Sequence, residues 1–225
     1  MSFIFIPSSG PKDWQALLAD PEKQWARGYS ARTLAHCWET AGGFPPEVTD
    51  VMSQNPDFRA AEPLLIFPEW RVRLPGGSRP SQNDIWVLAR STAGLLSIAV
   101  EGKAEEPFGE TLADWKMNAS PGKTQRLAWL ASLLGLGSSI PDSIRYQLLH
   151  RAASAAIEAR RFHAAHAVML VHSFSEKCLW FEDFKAFVGL FGLKASTNKL
   201  LSTALGDGLP IHFAWVKGDL RYLNV

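Results

Sequence analysis

The chain has 225 residues, 47% hydrophobic and 20% charged, which is enough apolar material for one substantial core and excludes a disordered chain. Its formal net charge of +1 removes any global electrostatic case for nucleic-acid binding, so a polyanion would need a local patch. Two distant cysteines, Cys37 and Cys178, exclude a metal finger and a disulfide framework and fit a reducing cytoplasm; no apolar run is long enough to span a bilayer, and the N-terminal one lacks the basic segment of a signal peptide.

Residues 12–55 read as helical. Trp14, Leu17 and Leu18 open one amphipathic piece, which Pro21 interrupts. Ser30 is placed as the N-cap of ARTLAHCWETA, where Leu34, Ala35, Trp38 and Ala41 recur at helical spacing and Gly42-Gly43 ends the helix. Pro45-Pro46-Glu47 opens another short helix. From residue 63 the texture turns β-rich: in PLLIFPEWRVRL, Val72 and Leu74 alternate with Arg71 and Arg73, and Pro75-Gly76-Gly77 is a turn. DIWVLA and LLSIAVEGK flank STAG and predict a hairpin. Helix returns over 111–136. SPGK, ending at Lys123, lacks the Gly-rich pattern of a phosphate loop and reads as a helix-start turn. SIRYQLLHRAASAAIEARRF predicts a long helix capped by Ser143, AHAVMLVHSF a buried strand, FEDFKAFVGLF a further helix, GDGLP a turn and IHFAWVKG a last strand. The order predicts a single α/β domain over 1–225. Its mixed sheet has a three-stranded meander, a crossover helix and a further strand, flanked by helices. The nine tryptophans read as core and surface aromatics, with base-stacking platforms as the alternative.

If the hairpin turn centres on Thr92-Ala93, opposed residues have numbers that sum to 185, and Asp84 then faces Glu101 on the same side of the sheet. Lys103, two residues on, shares that side. A one-residue slip in register would separate them. Two close carboxylates repel, and a divalent ion with a preference for oxygen ligands relieves the repulsion. Such an ion polarises a phosphoryl oxygen and acidifies bound water, while an adjacent amine orients that water or stabilises developing charge. Solvated edge charges are the ordinary alternative for an acid-x-lysine triplet. Here the triplet directly follows the apolar SIAV, and Asp84 opens the partner strand.

An acid opening one strand, then an apolar strand ending in E-x-K, resembles the signature of the restriction-endonuclease-like, or PD-(D/E)XK, nuclease superfamily. Here it reads SQND ending at Asp84, then LLSIAVEGK with Glu101 and Lys103. The resemblance covers residues 30–174, whose helix, three-stranded meander, helix and strand follow the superfamily core. The proline that usually precedes the first acid is replaced by Asn83, the nearest proline being Pro80. The resemblance implies Mg²⁺ or Mn²⁺ held by Asp84, Glu101 and the carbonyl of Gly102, with Lys103 assisting the attacking water. It further implies Gln147 and Arg151 entering the site from the long helix as water or phosphate ligands, and Glu39 as an extra metal ligand. Nucleic acid is the implied partner, DNA ahead of RNA, and many members of the superfamily are homodimers. SQND, VEGK and RYQLLHR together also resemble a family of uncharacterised bacterial proteins, which brings no activity with it.

Gln147, His150, Arg151, Ser154 and Glu158 share one face of the long helix, and Leu148, Ala152, Ala155 and Ala159 line another; a polar face is ordinarily the wet one. Arg79, Lys123 and Arg126 are candidate contacts to backbone phosphates. Glu69 could reach the site from the first strand, and His172 reads as an interior histidine. Beside the Mg²⁺-dependent nuclease stand two other readings. One is a non-catalytic interaction protein that keeps the fold, which the near-neutral charge favours. The other is a hydrolase of a small phosphorylated molecule, which a bounded pocket beside Glu101 would favour.

Overall fold

In the computed structural model, residues 3–6, 8–117, 119–137 and 139–225 are described. The β-rich stretch forms three consecutive strands, β1 (Glu62–Val72), β2 (Ser81–Ser91) and β3 (Gly94–Lys103). The two-residue loop Thr92-Ala93 joins β2 to β3, and Gly94 takes the positive φ of 116° that closing the turn demands. Pairs run from Ser91↔Gly94 to Ile85↔Val100, each summing to 185. β4 (His166–Ser173) adds parallel to β3, and β6 (Pro210–Lys217) adds parallel to β4. β5 (Leu200–Ala204) closes the far edge antiparallel to β6, giving the sheet order β1-β2-β3-β4-β6-β5. The fold is thus an α/β, six-stranded mixed sheet with helices on its faces. Sequence reading finds every strand except β5, whose five residues carry no clear alternation; GDGLP is the β5–β6 turn.

Period-two alternation divides the core into two layers. Ile85, Val87, Ile98 and Val100 point to one side, where α2 (Ser30–Ala41) and α3 (Pro46–Met52) bring Leu34, Trp38, Val48 and Met52 against them. A short helix, α1 (Pro21–Gln24), precedes α2. Ala99, Met169, Val171 and Phe213 point to the other side, covered by α5 (Pro121–Leu133), α6 (Tyr146–Arg161) and α7 (Phe181–Gly189), with α4 (Leu112–Met117) leading into α5. α6 is the crossover helix between β3 and β4. Ala152, Ala153, Ala155, Ala156 and Ala159 are all buried, and these small side chains let α6 approach so closely that Ser97 Oγ donates to the Ala155 carbonyl at 2.9 Å.

Three local expectations are corrected. Ser30 is not the cap of α2: Tyr29 occupies that position, and the Ser30 N–H donates to the Glu106 carboxylate at 3.0 Å, so a side chain from beyond β3 supplies the cap. Ser143 does not cap α6, because a bridge between Thr111 and Arg145 keeps the chain extended as far as Arg145, the N-cap position. The polar face of α6 is not wet, since Arg151, Ser154 and Glu158 are buried. SPGK is the helix start expected, with the Ser120 hydroxyl accepting the Lys123 N–H at 3.3 Å. Gly122 is needed there because the Gly76 carbonyl would lie only 2.6 Å from an added Cβ. Among the described residues no helix is long and apolar enough to cross a membrane.

Candidate active site

The alternation that sends Ile98 and Val100 toward α2 sends Glu101 and Lys103 toward α6, at the C-terminal end of β3. Asp84 precedes the last pair of the β2–β3 ladder and stands on the same side. Lys103 Nζ donates to Glu101 Oε1 at 2.6 Å, Gln147 Nε2 donates to the same oxygen at 2.6 Å, and Arg151 Nε donates to Glu101 Oε2. Asp84 Oδ2 accepts the backbone N–H of Gly102 at 2.7 Å, and its Oδ1 lies 3.9 Å from Arg151 Nη2. A side chain at position 102 would meet Leu34, Ser30 and the Asp84 carboxylate, all within 3.4 Å. Gly102 is thus required by a close approach rather than by its φ.

A third acid joins from β1. Glu69 has φ +54°, a left-handed conformation costly for a residue with a side chain, beside Pro68. The neighbouring pairs Pro68↔Ile85 and Trp70↔Asn83 place Glu69 across from Asp84. Gln82 Nε2 donates to Glu69 Oε2 at 2.6 Å. Glu69, Asp84, Glu101, Lys103, Gln147 and Arg151 all line an open cleft of about 690 Å³. Arg151 also donates to Ser81 Oγ at 3.1 Å and to His150 Nδ1 at 3.1 Å, so that ring nitrogen is an acceptor and the His150 proton sits on Nε2. Burial, reinforced by the Arg151 charge, holds His150 well below its ordinary pKa and keeps it neutral.

Three carboxylates face two cations. Burial and the neighbouring Glu101 charge push Asp84 up to about 7, and burial and Asp84 push Glu69 up to about 8. Glu101 goes the other way. Burial alone would raise it, but Arg151 and Lys103 outweigh that and keep it ionised. With Glu101, Lys103 and Arg151 only 1%, 3% and 5% exposed, this is a buried ion cluster, and Asp84 and Glu69, which lack a cation of their own, hold on to their protons instead.

The other expected residues divide. Arg79 lines the cleft and is exposed. Lys123 does not line it: its ammonium lies 4.2 Å from the centre of the Trp115 ring. Arg126 is buried and clamps the preceding loop, donating to the Leu74 and Pro75 carbonyls. Glu39 is corrected as a metal ligand for this site. It does not line the cleft, because Trp14 Nε1 at 2.7 Å and Ser8 Oγ at 2.8 Å donate to it on the other face of the sheet. Tyr29, Glu106 and Ser81 belong to the surroundings of the site without any motif to announce them; only the proline inside β1 hinted at the twist that turns Glu69 inward.

Among the described residues, the one set of three or more His, Cys or carboxylate ligand atoms within 4.8 Å of one another is Cys37, Glu47 and His172, on the α2 side. Its hydrogen bonds argue against a cation there. Trp38 Nε1 can only donate, and it reaches His172 Nδ1 at 3.2 Å, so Nε2 carries the proton and donates to Glu47 at 3.0 Å. The nitrogen that faces the acid thus has no lone pair to offer. Burial, with Glu47 adding to it, pushes the Cys37 thiol far up, so it is no thiolate. His172 is an interior, hydrogen-bonded histidine.

No curated protein and no solved structure matches the chain. A family model does, over residues 7–220, nearly the whole length and all of the residues that build the cleft. The chain belongs to that family, the domain of unknown function DUF6946.

Proposed function

We propose that this protein is a metal-dependent phosphodiesterase of the PD-(D/E)XK, restriction-endonuclease-like type, acting on nucleic acid, DNA ahead of RNA, in a reducing cytoplasm that its two unpaired cysteines suit. The observation that carries the reading is the buried cluster at the end of β3, in which three carboxylates face two cations and Asp84 and Glu69 are left short of positive charge. The donor set suits Mg²⁺ or Mn²⁺, which take carboxylate, carbonyl and water oxygens. Glu101 accepts three hydrogen bonds of the roughly four its oxygens can take, and Asp84 Oδ1 has only a distant arginine, so each acid retains a lone pair to offer.

Asp84 and Glu101 would hold the cation, with the Gly102 carbonyl beside them. When bound, the ion supplies charge neutralisation at the phosphoryl oxygen and acidifies water. Lys103, fixed by Glu101 and packed 4.9 Å from the Phe108 ring, is placed to orient the attacking water and to stabilise charge that develops on it. Arg151 offers a planar guanidinium to a phosphate oxygen, and Gln147 steadies the Glu101 carboxylate. The test is incubation of the purified protein with Mg²⁺ or Mn²⁺ and varied nucleic acids. Cleavage is expected, and cleavage that survives in the Asp84→Ala, Lys103→Ala double variant refutes the assignment.

The three donors that Lys103, Gln147 and Arg151 already direct at Glu101 favour one second reading, a binding protein in which the cluster only stiffens the end of β3. Calorimetry separates the two. Millimolar Mn²⁺ that releases no heat supports the second.

A further inference from the structure

The shape and charge of the cleft narrow what can enter it. Its buried ion cluster lines a half-open recess of about 690 Å³, within the volume range of pockets that take one small molecule. Four cations line it (Lys23, Arg79, Lys103 and Arg151) against five acids (Glu69, Asp84, Glu101, Glu106 and Glu110). A polyanion laid across such a surface finds no basic track, and the chain as a whole carries only +1. A duplex is stiff and carries its phosphates on a convex exterior, so it cannot lower one of them to the base of a recess. A single phosphate on a flexible chain can reach it.

One further feature asks for an aromatic guest. Tyr29, at the N-cap of α2, is one of the few large side chains left out in solvent, 43% exposed, and it lines the mouth of the cleft. It also lines a second hollow of about 800 Å³, as Glu106 does.

We infer that the cleft admits one unpaired nucleotide at a time, its phosphate beside Arg151 and Lys103 and its base stacked on Tyr29. The inference rests on the phosphodiesterase reading for its choice of ligand, but binding tests it independently of hydrolysis. A free nucleotide and the end of a single strand share this chemistry.

Affinities are measured with Ca²⁺ in place of Mg²⁺ for thymidine 5′-monophosphate, a short oligothymidylate and a blunt duplex of the same length. Saturable binding of the first two and none of the duplex is expected. The free nucleotide binding as tightly as the oligomer identifies a free nucleotide as the guest, and tighter binding of the oligomer identifies a strand end. Tyr29→Ala should weaken both about five- to hundredfold by loss of stacking, while Tyr29→Phe binds like the parent. A duplex that binds as well as the single strand overturns the inference. So does an unaffected Tyr29→Ala variant, or a nucleotide that does not bind. Cleavage is scored separately with Mn²⁺: binding without cleavage upholds the occupant and removes only the hydrolysis.

Discussion

At the scale of single residues the protein concentrates its electrostatic risk in one place. Arg151 is the hub, bonded to Glu101, close to Asp84 and tied to Ser81 and His150. Its removal leaves three carboxylates facing the one remaining cation, Lys103, so Arg151→Met should cost about 3–5 kcal/mol in a urea titration, and Arg151→Lys, which keeps the charge, distinctly less. The raised acids make a second prediction. Asp84 moves from 3.8 to about 7 and Glu69 from 4.5 to about 8, so the folded protein keeps protons that the unfolded chain has already released. Their contribution to stability is therefore complete below the unfolded values and is lost as pH rises through about 7 and then about 8. Asp84→Asn should remove part of that loss. The difference in urea midpoint between variant and parent should shift in the variant's favour from about pH 5 to about pH 8, and a difference that stays constant contradicts the assignment. Gly102→Ala should displace the Asp84 carboxylate, weakening Mn²⁺ binding in calorimetry while near-ultraviolet circular dichroism shows the fold intact.

At the scale of elements, α6 sets the geometry. Its alanine face seats it on β3 and β4, and the first two turns of the helix deliver Gln147 and Arg151 to the end of β3. Ala156→Leu should therefore both overpack the interface, at about 1–3 kcal/mol by denaturant titration, and disturb the cleft. The elements themselves were largely legible. SIAV and DIWVLA announce buried strands because short unbroken apolar runs beside a turn suit a strand covered on both faces, and ARTLAHCWETA announces a helix because Leu34, Ala35 and Trp38 fall on one face. What failed was local punctuation. The caps of α2 and α6 are decided by Glu106 and by a bridge to Thr111, which lie 76 and 34 positions away along the chain, beyond any window of neighbouring residues. β5 went unread because an edge strand of five residues pairs only with β6 and has little burial to impose a pattern.

At the scale of the whole molecule, the sheet holds two apolar layers and opens a cleft at the end of its central strand, where ligands of α/β proteins gather. A cation that binds the folded state alone stabilises it by mass action. Mn²⁺ at a hundred times its Kd should add about 2.7 kcal/mol and, for a chain of this length, raise Tm by about 5–10 °C. The shift should vanish in Glu101→Gln; an equal shift in that variant would place the cation elsewhere.

The residues alone determined that a hairpin runs from Asp84 to Lys103, because a two-residue turn fixes register and register fixes the face each side chain takes. They also determined the layered α/β plan, since periodicity is written locally. Only the tertiary structure decided that Glu69 twists inward, that Glu39 is claimed by Trp14 and Ser8, and that the polar stripe of α6 faces the sheet instead of water. Each of these depends on which distant group arrives to satisfy a buried charge or hydrogen bond, and packing in three dimensions makes that choice.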